Sequence, residues 1–290
     1  MLTADLLTDA VVAGVLLGGF YAAVAIGLAI IFGQLDIVNI AHPAFIIVGA
    51  YTAFILNSKF GLDPVLIGVL AAPIFFLVGA VIYRIYYAAF ERTGQESLSG
   101  LAFFFGVMFI IEVVLILVYG VDYRLVSAGY IGKSWTLGLV NLPLRLLVPF
   151  VVSAALTAAV YAYLSRTFMG RAIQAVAQDR LALQLMGANP ISVKQWAFAL
   201  GMATAAIAGS LLIIIGPVEP SVGRQYIGRA FAIVVLGGMG SIPGMFIAAL
   251  ILGVVESLVT TFWGPSWAPA VAFGFLLLTL AFRPSGLLGR

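Results

Sequence analysis

Few side chains in this sequence could do chemistry, and most of them stand alone. The only histidine, His42, has Asp36 and Asn39 as its nearest metal-type companions, whereas zinc needs three or four ligands. No His-Glu-x-x-His, Gly-x-Ser-x-Gly or Ser-x-x-Lys pattern occurs, so a hydrolase would lack its catalytic groups. Gly132-Lys133-Ser134 ends like a phosphate-binding loop, but that motif needs glycine at the position of Ser127. Gly238, Gly240 and Gly244 miss the dinucleotide-binding spacing and open no βαβ unit. The chain has no Cys, which excludes disulfides, thiolate metal sites and iron–sulfur clusters. No metal, no catalytic residue and no cofactor is therefore expected in this chain, and if ATP is used another chain must bind it.

The elements around these residues belong to a membrane. Hydrophobic side chains make up 63% of the 290 residues and charged ones 9%, against about 45–50% and about 25% in soluble domains; the mean hydropathy is +1.19. A water-soluble fold is excluded. At about 20 apolar residues per crossing, the chain has room for eight or nine crossings and no separate soluble domain. The net charge of +3 is scattered at segment ends, so nucleic acid is not an expected partner. Asp5 and Asp9, with no Lys or Arg in the first ten residues, give the wrong sign for a secretory signal, and the N-terminus is expected to be retained.

Apolar runs between polar punctuation predict helices over 8–33, 43–56, 64–87, 101–119, 146–164, 191–216, 227–236, 243–262 and 268–282. The seventh is too short to span alone. Asp63-Pro64 and Asn189-Pro190 each place a capping residue before a first-turn proline. The expectation is an all-α, polytopic integral membrane protein with two broken or re-entrant segments, forming one domain over 1–290. The segment 165–194 carries Arg166, Arg171, Arg180 and Lys194 against Asp179, which places it in the cytoplasm. Lys59, Arg124, Lys133, Arg145, Arg224 and Arg229 then fall on the opposite side.

Three features could serve solute movement. The runs Gly33–Pro43, with Asn39 and His42, and Gly237–Gly244, with Gly237, Gly240, Ser241 and Pro243, interrupt hydrophobic segments. Such breaks must face protein or a water-filled cavity, and paired breaks point to a transport path; two ordinary turns between short helices remain the alternative. Glu112 and Glu256 lie inside apolar runs, where they line a path or hydrogen-bond a neighbouring helix. In the cytoplasmic segment, Met169, Ile173 and Val176 recur at helical spacing, Asp179 can cap a second short helix and Gly187 can end it. Two such amphipathic helices would make a knob for a partner's groove, or one helix lying on the membrane surface.

Several fragments in order carry a family resemblance: Gly27-Leu28-Ala29-Ile30-Ile31-Phe32-Gly33, Asn39-Ile40-Ala41-His42, Met169-Gly170-Arg171-Ala172 with Ala177-Gln178-Asp179 and Leu185-Met186-Gly187, Leu236–Gly244, and Arg283-Pro284-Ser285-Gly286-Leu287-Leu288-Gly289. The chain resembles the LivH-like permease subunits of branched-chain amino acid ATP-binding-cassette (ABC) importers over nearly its whole length. The resemblance implies a multi-pass inner-membrane subunit that pairs with a second, LivM-like permease. Two cytoplasmic ATPase subunits binding ATP and Mg and an external solute-binding protein would complete the system. Gly170, Arg171, Ile173, Val176, Asp179 and Gly187 would then belong to a coupling segment, 165–190, that docks the ATPases. Asn39, His42, Glu112, Gly237, Gly240, Ser241, Pro243 and Glu256 would be translocation-path candidates. The family commonly continues Asn-x-Ala-His with Gly-Glu, where this chain has Pro43-Ala44, so a carboxylate near the path is missing. A stand-alone channel or facilitator for a small polar solute is the competing expectation.

Overall fold

The computed structural model describes residues 2–92, 94, 98–137 and 140–289. Its helices are α1 (Leu2–Leu35), α2 (His42–Phe60), α3 (Pro64–Tyr86), α4 (Leu98–Tyr119), α5 (Leu144–Arg166), α6 (Phe168–Gln178), α7 (Arg180–Leu185), α8 (Pro190–Ile215), α9 (Arg224–Gly237), α10 (Ile242–Phe262) and α11 (Ala268–Phe282). A π-helical turn, Tyr87–Glu91, continues α3. Among the described residues, eight helices are long and apolar enough to cross a membrane. The chain is a multi-pass, all-α membrane protein. The stretch 120–145, between the expected helices 101–119 and 146–164, contains two short antiparallel strands, β1 (Ser134–Leu137) and β2 (Val140–Pro143).

Local chemistry fixes several helix starts. The Asp63 carboxylate accepts from the Val65 amide at 2.8 Å and the Asn189 side chain from the Ile191 amide at 3.0 Å. In both helices proline occupies the first turn, where its missing N–H has no partner to lose. At the end distant from α6 and α7, Asn57 Nδ2 donates to the Ser127 carbonyl at 2.9 Å and Tyr130 donates to Asp63 at 3.5 Å. Burial and the Asp63 carboxylate hold the Tyr130 phenol above its ordinary pKa, so it remains a neutral donor.

The core is built around α1 and α8, whose apolar segments are mostly buried, while only about a fifth of the α4, α5 and α11 segments is buried. α8 packs on α1, α2 and α3, and α1 packs on α10. Glycine permits this closeness, because lipid tails supply no hydrophobic drive between helices and contact distance decides association. A Cβ at Gly14 or Gly18 would lie 2.6 Å from the Val254 Cα or 2.7 Å from the Ala249 carbonyl. A Cβ at Gly209 would meet the Ile46 carbonyl and, at 2.6 Å, the Ala50 amide nitrogen. Gly209→Val is therefore expected to push α2 off α8 and destabilise the protein by about 1–3 kcal/mol. Thermal unfolding in detergent checks this, with Gly106→Ala, whose Cβ meets nothing within 4 Å, as the neutral control.

Candidate functional site

Glu112 of α4 and Glu256 of α10 each lie about 21 Å along their helices from Leu98 and Ile242. An unpaired charge at that depth in a bilayer is unfavourable by about 2.5–3.5 kcal/mol. Both carboxylates are met by arginines from α9. Arg229 donates from Nε to both Glu256 oxygens at 3.1 Å and from Nη2 to Oε1 at 2.6 Å, while its Nη1 donates to the Gln225 carbonyl at 3.1 Å. The guanidinium carbon lies 5.8 Å from the Tyr21 ring centroid and 5.5 Å from that of Tyr226, which adds cation–π attraction. The pair is closed off, with Arg229 at 12% and Glu256 at 4% side-chain exposure.

The second pair is open on one side. Arg224 donates from Nε to Glu112 Oε2 at 2.8 Å and from Nη2 to Oε1; Glu112 is 7% exposed and Arg224 58%. Arg224 stands between two cavities. One, of about 10 Å³, is lined by Ala44, Met108, Ile111, Glu112, Pro220, Gly223 and Arg224. The other, of about 290 Å³, is lined by Arg224, Gln225, Gly228, Arg229, Pro269, Ala272 and Phe273. Ala44, where the family resemblance predicts a glutamate, thus shares a cavity with Glu112, and the carboxylate beside Arg224 comes from α4.

From the sequence, Arg224 and Arg229 are expected among outer-side residues; within the fold the Arg229 side chain is packed into the bundle at 12% exposure, while Arg224 stays 58% exposed. α9 begins three residues before the expected run 227–236, extending from Arg224 to Gly237, and so places both arginines on one helix. A usable signal existed in the composition: two acids inside apolar runs need two bases, and Arg224 and Arg229 sit in one segment too short to span.

The two broken segments differ in structure. Asp36, at φ +57°, turns the chain after α1. The Asn39 side-chain oxygen then accepts from the Ala41 amide at 3.1 Å to start α2, while its Nδ2 lies 3.9 Å from Met202 Sδ. Asn39 and His42 are fully buried. The His42 ring occupies the space a Cβ on Gly27 would need. The second break is a tight turn. Gly238 and Gly240 adopt φ of +96° and +84°, a region open to glycine. Ser241 caps α10 by accepting from the Gly244 amide at 3.2 Å, and Pro243 lies in the first turn. Gly237 packs on Met245, with a Cβ there 2.5 Å from its Cα. Gln34 Nε2 donates to the Gly240 carbonyl at 2.9 Å, joining this turn to the end of α1. The C-terminal strap covers it, with the Leu287 amide donating to Leu236 at 2.8 Å and the Leu288 amide to Gly237 at 3.1 Å.

The segment 165–190 forms the expected pair of short helices. Thr167 caps α6, accepting from the Gly170 amide at 3.0 Å, and Asp179 caps α7, accepting from the Leu181 and Ala182 amides at 2.8 and 2.9 Å. Gly187, at φ +84°, follows its end. The two helices divide the work. Gly170, Ile173 and Val176 are buried and fasten α6 to the bundle, with a Cβ at Gly170 falling 2.5 Å from the Leu164 Cα. Arg171, Asp179, Leu181, Leu185 and Met186 are exposed. Behind the knob, Glu91 accepts from Lys194, and from Tyr83 at 2.9 Å, with Arg180 of α7 at 3.9 Å. The side chains of Lys194 and Glu91 are 3% and 8% exposed.

Comparison with known proteins agrees with this architecture. Residues 10–280 match the family model described as the permease component of the branched-chain amino acid transport system. The chain is 32% identical to the high-affinity branched-chain amino acid transport system permease protein BraD of Pseudomonas aeruginosa, over 96% of this chain and 94% of BraD. It is 30% identical to the corresponding protein LivH of Escherichia coli K12, again over 96% and 94%. It is also 29% identical to the permease protein LivM of that organism, over 92% of this chain and 67% of LivM. In fold it resembles a chain of PsaBC from Streptococcus pneumoniae solved with a Fab, at a TM-score of 0.53 and 13% identity, covering 98% and 97% of the two chains. The chain therefore belongs to the family of permease components of branched-chain amino acid transport systems.

Proposed function

We propose that this chain is a transmembrane subunit of an ABC importer that carries branched-chain or related amino acids across the bacterial inner membrane. It forms the path together with a second, LivM-like permease, and ATP hydrolysis occurs on two cytoplasmic ATPase subunits that bind ATP and Mg. An external binding protein delivers the solute. The observation that carries this reading is the knob: α6 is fastened to the bundle, while α7 and the residue that follows it hold Leu181, Leu185 and Met186 at 65%, 82% and 84% exposure. Exposed apolar side chains next to Arg171 and Asp179 fit a partner's groove. The match to both LivH and LivM supports pairing between two related permeases, since each name belongs to the same transport system. A stand-alone facilitator would share the membrane helices and leave this apolar knob without a use.

Tagged protein, extracted in mild detergent from its native membrane, is expected to carry two P-loop ATPase chains and a second permease, identified by mass spectrometry. Leu185→Asp with Met186→Asp is expected to lower ATPase recovery about 30-fold, the effect of removing an interface hot spot, with the second permease retained. Arg171→Ala with Asp179→Asn, which keeps a capping side chain on α7, is expected to weaken the same contact. Undiminished ATPase recovery with both variants would reject the knob as the docking element.

A further inference from the structure

The cavity beside Arg224 has the attributes of a solute site, and what it would hold follows from which groups are engaged. Arg229 also lines this cavity, but its Nε and Nη2 go to Glu256 and its Nη1 to the Gln225 carbonyl, and at 12% side-chain exposure it presents little of the guanidinium to a ligand. Arg224 uses Nε and Nη2 on Glu112, and among the described residues no acceptor meets its Nη1. That side chain is 58% exposed and lines the 290 Å³ cavity, close to the lower end of the about 300–1,000 Å³ of small-molecule sites. The Gln225 side chain lines the same cavity, is exposed and has no hydrogen-bond partner among the described residues. Pro269, Ala272 and Phe273 of the α11 segment supply an apolar wall opposite.

Charge restricts the ligand further. Two guanidiniums and two carboxylates cancel within this layer, so a ligand with net charge would give up hydration there without an unengaged counter-ion to replace it. A ligand whose own charges cancel meets no such penalty, provided each charged group finds a partner. We infer that this cavity binds the head group of a zwitterionic solute with a short aliphatic side chain. The carboxylate accepts from Arg224 Nη1, the ammonium donates to the Gln225 side-chain oxygen, and the aliphatic part lies on Pro269, Ala272 and Phe273. Glu112 does not touch the solute; it neutralises Arg224 from behind and fixes the guanidinium so that Nη1 faces the cavity. Arg224 and Gln225 would thereby be specificity-determining residues of the path. This inference rests on the transport function proposed above.

The test uses the assembled permease pair with its ATPases, purified without the binding protein, so that the binding protein's own selectivity does not enter. Equilibrium dialysis with labelled L-leucine is expected to show saturable binding. Competition by 4-methylpentanoate, which lacks the ammonium, and by 3-methylbutylamine, which lacks the carboxylate, is expected to be about 10- to 100-fold weaker than by L-leucine, as for a lost charge-assisted hydrogen bond. Gln225→Leu, which disturbs no ion pair, is expected to weaken L-leucine binding about tenfold or more by the same reasoning. Arg224→Met combined with Glu112→Leu, which leaves no unpaired charge, is expected to abolish it. Equal competition by all three compounds, unchanged binding in both variants, or no saturable binding by the intact complex would overturn the site. If the chain assembles with no ATPase at all, the transport reading fails first, and that result is separate from these.

Discussion

Glu256→Ala is expected to destabilise the protein by about 3–5 kcal/mol, the usual effect of removing one partner from a buried ion pair. The substitution strands the Arg229 guanidinium, 12% exposed, between the rings of Tyr21 and Tyr226. Two further consequences separate charge from packing. Replacing both partners, Arg229→Met with Glu256→Leu, is expected to restore most of the lost stability, because no unpaired charge remains and side chains of similar length fill the space. Glu256→Gln is expected to fall between the two, since the amide still accepts from the guanidinium without its charge. Thermal unfolding of the purified protein in one detergent gives all three values. A Glu256→Ala protein as stable as the wild type would mean that the pair does not hold α9 against α10.

Glu91→Ala is expected to be of similar size, about 3–5 kcal/mol, because it leaves the Lys194 ammonium, 3% exposed, without its carboxylate. Here the damage should reach the knob. Glu91 stands at the end of the π-helical turn after α3, Lys194 in the first turns of α8 and Arg180 at the start of α7, so one carboxylate ties three elements. Hydrogen exchange is expected to accelerate across 180–187 in Glu91→Ala and to recover in part in Glu91→Leu with Lys194→Met, which removes both buried charges. The Arg180 contact, at 3.9 Å and with Arg180 half exposed, adds little to stability. Unchanged exchange in Glu91→Ala would show that α7 is held by the packing of α6 alone.

Much of this structure is written locally in the sequence. Asp63-Pro64, Asn189-Pro190, Asp179 and Gly187 announce helix ends because a cap is a contact within a few residues, and each acts there as expected. Glu112 and Glu256 announce themselves as intramembrane carboxylates because any charge inside an apolar run is conspicuous. Their partners could not be read off in the same way. The pair Arg224–Glu112 joins helices far apart in the chain, the pair Arg229–Glu256 joins consecutive helices whose relative orientation the sequence does not set, and α9 is too short to register as a crossing. The strand pair Ser134–Leu137 and Val140–Pro143 was equally hidden, since its brief strands have no strong alternation. The division of the knob into a buried α6 face and an exposed α7 face also needed the tertiary contacts. Spacing placed Ile173 and Val176 on one face, and only their burial against the bundle shows that they hold the knob while Leu185 and Met186 protrude.

The most direct measurement is uptake of labelled L-leucine, L-isoleucine and L-valine into vesicles carrying this chain with its co-purifying subunits and binding protein, with ATP supplied on the ATPase side. ATP-dependent accumulation above the outside concentration, absent with a non-hydrolysable ATP analogue and lost in Leu185→Asp with Met186→Asp, is the expected result. Equilibration of solute without ATP, at the same rate in the wild type and in that variant, would contradict the importer and identify the chain as a facilitator.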